Sequence, residues 1–517
     1  MDNRMSKKKA GSILTMALVV GALGCSSAEE TRQPTAPAGQ DLPALRVEDH
    51  RIVDDQDRTV LLRAVNVNQL GDYFQARPDI PPAIPLTRSD IEQIAALGFN
   101  SIRLIVHWSA LEPERGVWDE TYLDRVRQAV AWAREFGVYV VIDMHQDSWG
   151  KYINSAPDEV CEAPLEPAIG WDGAPEWATF TDGLSGCRLA VREVSATVMR
   201  ATESFWEDRE GIQQHLVDTW AWIARAFRDD TTVAGYDLLN EPHWGEDYAS
   251  TVRVRKGAFH RRAIEAIRAA EAGAPGKIVF FEPTVVFSGI MREEAIPFTQ
   301  DTQIVYAPHI YAESISIDVA VLGVVLIPLR SAFEQAERDA QVYGAPLWCG
   351  EWGRFWDDGG DYATRYAAIE DDLQIGGAWW QWRQSCGDPH GVSWPGGEIH
   401  DTAGNLVVAR CGDPAEPTGV VTGFEENHAR VLSRPSPRRF PGKIEFTSDP
   451  AAQTLGLTGA ADLPAAPLEV WIPGEGAPLV ATTGLSEDGL KDVPGGWILT
   501  ATPTATAFGL RVESSMD

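Results

Sequence analysis

Positive charge is scarce in this chain. Lys and Arg total 44 against 75 Asp and Glu, a formal charge of -31 at pH 7. Such a surface repels polyphosphate and anionic bilayers at long range, so nucleic acid is not an expected partner. Metal-binding patterns are missing as well: there is no His-Glu-x-x-His, no His-x-His on the first strand, and the 6 cysteines lack zinc spacing. Neither a Gly-x-Ser-x-Gly elbow nor a phosphate-cradling glycine loop occurs. The expectation is chemistry with no metal and no cofactor. There is no internal repeat and no heptad pattern, and 44% hydrophobic residues in a chain of 517 argue against general disorder and supply a large core.

What is present begins with an export signal. A basic segment (Arg4, Lys7, Lys8, Lys9) precedes an apolar run from Ile13 to Leu23 and then Gly24-Cys25-Ser26-Ser27. Ala22-Leu23-Gly24-Cys25 resembles the lipobox of bacterial lipoproteins, which implies lipidation at Cys25. Ala22 stands where Leu is usual, so free secretion is the other outcome. Either way the product is exported, to the cell surface or beyond it. Residues 26–42, rich in Pro, Ala, Thr and Gln, read as a flexible linker. Export favours disulfides, and the nearest pairings are Cys161 with Cys187 and Cys386 with Cys411. Free thiols are the alternative. Cys349, two residues before Glu351 on one strand, is expected to point with it into the interior as a small filler.

From about residue 59 to about residue 382, apolar strand-like runs alternate with amphipathic segments. Eight strands are predicted, near 60–66, 101–107, 139–145, 233–240, 278–282, 303–309, 346–351 and 377–382. Helices are predicted at 89–97, 121–136, 213–227, 252–272 and 332–343, with Gly98, Gly137 and Gly344 in stop positions. This alternation predicts a (β/α)8 TIM barrel rather than a doubly wound sheet. The third connection, 146 to about 204, is long enough to be functional, stapled, or both. A heavily punctuated stretch, Arg434-Pro-Ser-Pro-Arg-Arg-Phe-Pro-Gly442, leads into short alternating runs that predict a small C-terminal β-sandwich. The expected organisation is a leader over 1–25, a linker over 26–42, the barrel over 43–433 and the sandwich over 434–517.

In such a barrel, reactive groups sit where strands end, because the following loops converge over the mouth. The fourth run ends in Asn240-Glu241-Pro242 and the seventh in Glu351-Trp352-Gly353. Two carboxylates on different strand ends suit glycoside hydrolysis. One enters protonated to serve the leaving oxygen, and the other enters ionised to attack or to activate water.

Together with Arg103, His145, His309 and Tyr311 near the ends of strands two, three and six, these motifs resemble glycoside hydrolase family five across the whole barrel. Within it, Val141-Ile-Asp-Met-His-Gln-Asp-Ser148, Asn240-Glu-Pro and the Arg434-Pro-Ser-Pro-Arg438 junction are similar to the endoglycoceramidases, which separate an intact oligosaccharide from ceramide. The resemblance implies a retaining mechanism with Glu241 as acid/base and Glu351 as nucleophile. Arg103 and the Tyr311 hydroxyl are expected to favour the Glu351 carboxylate. Repulsion from Glu351 is expected to keep the proton on Glu241. Asn240 is expected to bind a sugar hydroxyl, with His145 and His309 orienting these groups or contacting the sugar. Asp143 and Asp147 flank His145 as sugar ligands, Asp143 equally as an internal orienter.

Several of the 19 tryptophans fall at predicted strand ends, and flat aromatic faces suit sugar rings. Trp382 is the expected stacking residue, with Trp380 second. After strand six, Ile317-Asp-Val-Ala-Val-Leu-Gly-Val-Val-Leu-Ile-Pro-Leu329 carries a single charge and is too short to span a bilayer. It reads either as a wall for acyl chains beside the mouth or as an ordinary buried helix. The expected partners are a glycosphingolipid substrate and a membrane surface, and the expected state is a monomer. The competing readings are a β-glucanase or mannanase of the same family, and a surface lipoprotein that binds carbohydrate without cutting it. Which glycan head group is accepted, and whether its linkage is to glucose or galactose, is not legible in the residues.

Overall fold

The structure is a computed structural model that describes residues 42–156, 158–189, 192–288, 293–315, 324–354, 358–393, 398–399 and 404–515. The leader, Cys25 and nearly all of the expected linker lie outside these residues. So do 316–323, the first part of the apolar segment after strand six.

Eight parallel strands form the central sheet: Arg63–Val67, Ser101–His107, Tyr139–His145, Val233–Asp237, Ile278–Phe281, Ile304–Tyr306, Trp348–Trp352 and Gly376–Trp379. The sixth and seventh lie at its two edges, and parallel bridges Tyr306↔Leu347 and His309↔Glu351 join those edges into a barrel. That seam sets His309 directly opposite Glu351. Strand side chains alternate between two environments because the period is two. Along the second strand, Ile102, Leu104 and Val106 pack outward with the helices, while Arg103 points inward among carboxylates.

The helices carry the stops and caps their sequences announce. Thr87 and Asp90 form a reciprocal capping box at the start of Arg88–Ala96, and Asp119 caps Glu120–Glu135. Leu329–Tyr343 ends at Gly344, whose φ of 69° is left-handed. Among the described residues no helix is long and apolar enough to cross a membrane.

The N-terminal end of the barrel is closed by Leu62, Ala64, Tyr139, Val141, Ile278, Phe280, Val305 and Trp348, with Leu42, Leu45 and Ile52 beneath them. Each fully buried Val, Ile or Phe here contributes about 1.5–3 kcal/mol of hydrophobic stabilisation. Leu42, assigned to the linker from composition, is therefore part of this floor.

The C-terminal residues form two packed antiparallel sheets, but not alone. Strands Arg46–Glu48, Arg51–Val53 and Thr59–Val60 extend one of those sheets, with Val60 paired to Arg439 and Thr59 to Phe440. Leu61 inserts into the sandwich core beside Phe440, Leu468 and Val512. The expected barrel start at residue 43 and the single strand at 60–66 are thus corrected: the chain changes domain between Leu61 and Arg63. Alternation declares a strand without declaring which sheet it joins. The junction is fixed by buried charge. Arg434 bonds Glu370 and Asp371, each at 2.7 Å, and Arg63 pairs with the same Asp371.

Two further expectations change. The long third connection ends earlier than about residue 204, because Ala196–Trp206 is a helix; before that helix a short antiparallel pair, Glu166–Pro167 with Cys187–Arg188, is tied by the Cys161–Cys187 disulfide. Cys386 and Cys411 are also bonded. Cys349 does not point with Glu351. The seventh strand shifts register between Cys349 and Trp352, so Glu351 faces the interior while Cys349 and Trp352 face the helix layer, Trp352 stacking on Tyr366. One bulged residue cancels the parity on which the expectation rested.

Candidate active site

Arg103 is the centre of the barrel mouth, and no part of its side chain is exposed. Its guanidinium lies 2.9 Å from Asp143, 3.0 Å from Asp237, 2.9 Å from Glu282 and 2.8 Å from Glu351, and it also donates to the side-chain oxygens of Asn66 and Asn240. A buried cation of this kind is stable only because its forked donors are all met by anions or amide oxygens. Burial and the negative charge of Glu282 together push the Asp237 carboxyl well above its usual range, against the pull of Arg103.

Glu351 receives two donors. Arg103 reaches one carboxylate oxygen and the Tyr311 hydroxyl donates to the other at 3.0 Å. Glu241 stands across from it. His309 Nδ1 is 2.9 Å from a Glu241 oxygen and 3.4 Å from a Glu351 oxygen, and an oxygen of each carboxylate lies within 4.8 Å of the other. Burial pushes the Glu241 carboxyl up to about 7; the hydrogen bond and charge of His309 oppose this, and the charge of Glu351 adds to it. Desolvation, more than repulsion from Glu351, therefore keeps Glu241 protonated. Its backbone has a φ of 38°, rarely adopted by a residue with a side chain, and this turns the end of the fourth strand back over the mouth.

The remaining expected residues divide. Asn240 is buried, accepting from Arg103 at 3.0 Å and donating to the Gln146 carbonyl at 3.1 Å. Asp143 is wholly buried between His145 Nδ1, at 2.7 Å, and Arg103, the placement of an internal orienter. Burial would lower the His145 pKa, yet the charge and hydrogen bond of Asp143 raise it well above the usual value. Asp147 remains partly accessible; Arg192 at 3.1 Å and His390 at 2.9 Å hold it in charged form against the cost of burial.

The stacking expectation is reversed. Trp382 is fully buried and its indole donates to Asp90 at 3.0 Å, behind the mouth. Trp380 is the residue in the mouth, stacked on His145 with ring centroids 5.5 Å apart and packed with Ile105 and Tyr311. The eighth strand ends at Trp379, so alternation no longer dictates where the next side chains point.

Three groups bring metal-type donors within 4.8 Å of one another: Glu241, His309 and Glu351; Asp143, Asp237 and Glu282; and His145, Asp147 and Asp172. In each, a protein cation already serves the carboxylates: His309, Arg103, or His145 with Arg192. None is assigned as a metal centre.

Two carboxylates facing each other across a hydrogen-bonding histidine, one neutralised by burial and one by an arginine, point to one enzyme class. The family model for cellulases of glycosyl hydrolase family 5 matches residues 55–385. The chain belongs to glycosyl hydrolase family 5. Its relatives include endoglycoceramidase I of Rhodococcus hoagii, 27% identical over 285 residues, which make up 52% of this chain and 53% of that one. An alignment at 26% with an endoglycoceramidase of Cyanea nozakii covers 40% and 43% respectively, so the chain matches about half the length, or less, of these curated relatives. Solved structures match more fully. An endogalactoceramidase crystal structure is 40% identical with a TM-score of 0.83, covering 91% of this chain and 99% of that chain. Endo-glycoceramidase II from Rhodococcus sp. is 25% identical with a TM-score of 0.68, covering 90% and 99%.

This family 5 mouth also contains residues that reading the sequence missed. Glu282 and Asp237 complete the shell around Arg103, and Glu282 carried a signal, being the charge that closes the apolar run Ile278–Phe281. His390, Arg192 and Trp171 gather around Asp147 from loops, the Arg192 guanidinium resting on the Trp171 ring. Loop residues brought together only by folding leave no local pattern.

Proposed function

We propose that this chain is a retaining endo-β-glycosidase that separates the oligosaccharide of a glycosphingolipid from its ceramide. The observation that carries the mechanism is the pair Glu241 and Glu351, with oxygens within 4.8 Å. Retaining enzymes hold their carboxyl groups roughly 5–5.5 Å apart, whereas inverting enzymes leave several ångströms more for a water. In the first step Glu351 attacks the anomeric carbon and forms a glycosyl ester, while Glu241 delivers its proton to the departing ceramide oxygen. In the second step Glu241, now an anion, takes a proton from water; the water oxygen attacks the same carbon and frees Glu351. Esterification removes the charge of Glu351, so the Glu241 that was an acid becomes a base.

The lipid aglycone is supported by similarity to proteins named endoglycoceramidase and endogalactoceramidase. A second support is local: Val324, Val325 and Leu326, which open the described part of the apolar segment after strand six, are each about half exposed, while Leu329 at its end is buried in the core. The 40% identity to an endogalactoceramidase, against 25% to an endo-glycoceramidase II, favours a galactose-linked ceramide over a glucose-linked one. Export belongs to the same proposal, and the two disulfides fit an oxidising compartment, with Cys25 as the lipid anchor. Mass spectrometry of products from galactosyl- and glucosyl-ceramide glycolipids tests the reading. Intact oligosaccharide from the galactosyl series is the expected result; hydrolysis of a soluble β-glucan alone would overturn it. Val325→Asp should weaken glycolipid cleavage more than cleavage of a soluble aryl glycoside.

A further inference from the structure

Glu282 directly follows the fifth strand, Ile278–Phe281, and is buried. Its two carboxylate oxygens serve three elements. One accepts from Arg103 Nη2 at 2.9 Å. The other accepts the backbone N–H of Glu241 at 2.7 Å and lies 3.2 Å from His309 Nε2. Its own carbonyl is held from behind by Lys256 Nζ at 3.1 Å, and that ammonium pairs with Glu293 at 2.5 Å. The position is therefore fixed from both sides.

Two properties of the mouth depend on this arrangement. The left-handed backbone of Glu241 presents its N–H to Glu282, so the carboxylate anchors an otherwise rarely adopted turn. His309 is surrounded by Glu241 from the end of the fourth strand, Glu282 from the fifth and Glu351 from the seventh. Beyond them stand Arg103 and Asp237, with Tyr311 on the same segment as His309. Burial disfavours an imidazolium here, yet the charges of Glu282 and Glu351 and the hydrogen bond to Glu241 outweigh it, raising His309 well above its usual range. As a cation, His309 donates from Nδ1 to Glu241.

We propose that Glu282 is a positioning residue, whose carboxylate orients Glu241 through its backbone and holds His309 as the cation that hydrogen-bonds Glu241. The inference rests on the reading of Glu241 as acid/base. Glu282→Gln separates the two tasks, because a carboxamide oxygen still accepts from the Glu241 N–H while the charge is lost. That oxygen also stays beside His309 Nε2 and the carboxamide nitrogen takes the place facing Arg103 Nη2, so His309 keeps a polar neighbour but loses the anion that favours its charged form. Without a cation beside it, Glu241 keeps its proton to higher pH, so less of it is ionised to take a proton from water in the second step.

The experiment has a structural and a kinetic arm. In 15N-labelled protein, with the His309 signals assigned by their loss in His309→Gln, the ring of the wild type should remain protonated through pH 8. In Glu282→Gln it should titrate at least one pH unit lower. On a soluble aryl β-glycoside, the alkaline limb of kcat/KM should move up by about one pH unit and kcat should fall about 10- to 100-fold. Glu282→Asp keeps the charge and should restore the His309 titration. Unchanged His309 titration in Glu282→Gln overturns the proposal, as does a Glu282→Asp that behaves like Glu282→Gln. If Glu282→Gln does not fold, the wild type alone decides, since a neutral His309 ring at pH 7 also overturns it. Should the His309 shift appear while the wild type cleaves no glycoside, the charge relation stands and the catalytic reading falls.

Discussion

The two ends of one barrel interior are built from the same strands and have opposite chemistry. At the floor, inward positions are Leu62, Ala64, Tyr139, Val141, Phe280, Ala307 and Ala378, an apolar layer without charge, in which the Tyr139 hydroxyl is met by the Pro43 carbonyl. Two residues further along the third strand Val141 gives way to Asp143, and beyond the others Phe280 gives way to Glu282, Ala307 to His309 and Ala378 to Trp380. The floor is stabilised by area removed from water, which tolerates imperfect partners. The mouth is stable only as a set, because each buried charge depends on the others. A scaffold can therefore keep its fold while its chemistry is destroyed, or the reverse, depending on which layer is changed.

The largest expected separation comes from Glu351→Gln against Phe280→Ala. Glu351→Gln should lower kcat by about 10,000-fold or more while leaving the thermal midpoint unchanged or raised, since a buried charge is lost without a cavity. Phe280→Ala should cost about 3–5 kcal/mol in denaturant unfolding, with kcat of the folded fraction within a few-fold of the wild type. Similar activity losses in both would break the comparison.

Arg103→Met sharpens it from the other side. Removing the guanidinium they share leaves Asp143, Asp237, Glu282 and Glu351 without their common partner, and about 3–5 kcal/mol of stability should be lost along with activity. Unfolding should become less costly relative to wild type as pH rises, because the Asp237 carboxyl, held well above its usual range by burial and Glu282, then ionises without the guanidinium beside it.

A smaller effect is the pH profile. In the proposed acid role Glu241 acts only when protonated, and burial raises its pKa to about 7. On the proposed substrate, activity should therefore be present below that value, and kcat/KM should fall about tenfold per pH unit above it. A profile flat to pH 9 would remove Glu241 from the acid role.

The smallest contrast is between two neighbouring tryptophans. Trp380→Ala should cost about tenfold in kcat/KM, consistent with the loss of one aromatic face. Trp382→Phe should leave kcat/KM unchanged and remove about 1 kcal/mol of stability with the hydrogen bond to Asp90. The reverse outcome would return the stacking role to Trp382.

These pairs show where reading the residues succeeds. Eight apolar runs and their capped helices were legible because hydrophobic period and caps are local properties. Glu241 and Glu351 were legible because a carboxylate closing an apolar run is a local anomaly. Trp382 and Cys349 were misread for one reason: parity along a strand is reliable only while the strand is regular. The eighth strand stops at Trp379 and the seventh bulges before Trp352, and both changes depend on packing against neighbours. Asp143 was left with two readings until Arg103 and His145 were found on either side of it.

By itself the sequence determined the barrel, the strand ends that bear the acid pair, and an apolar stretch near one of them, since all three follow from short-range pattern. Tertiary structure decided the rest. It paired the N-terminal strands with the C-terminal sheet, closed the seam that sets His309 against Glu351, and converged four carboxylates on Arg103. It also decided that burial, more than like charge, keeps the proton on Glu241. Desolvation and long-range ion pairing are properties of a closed surface, and no window along the chain contains one.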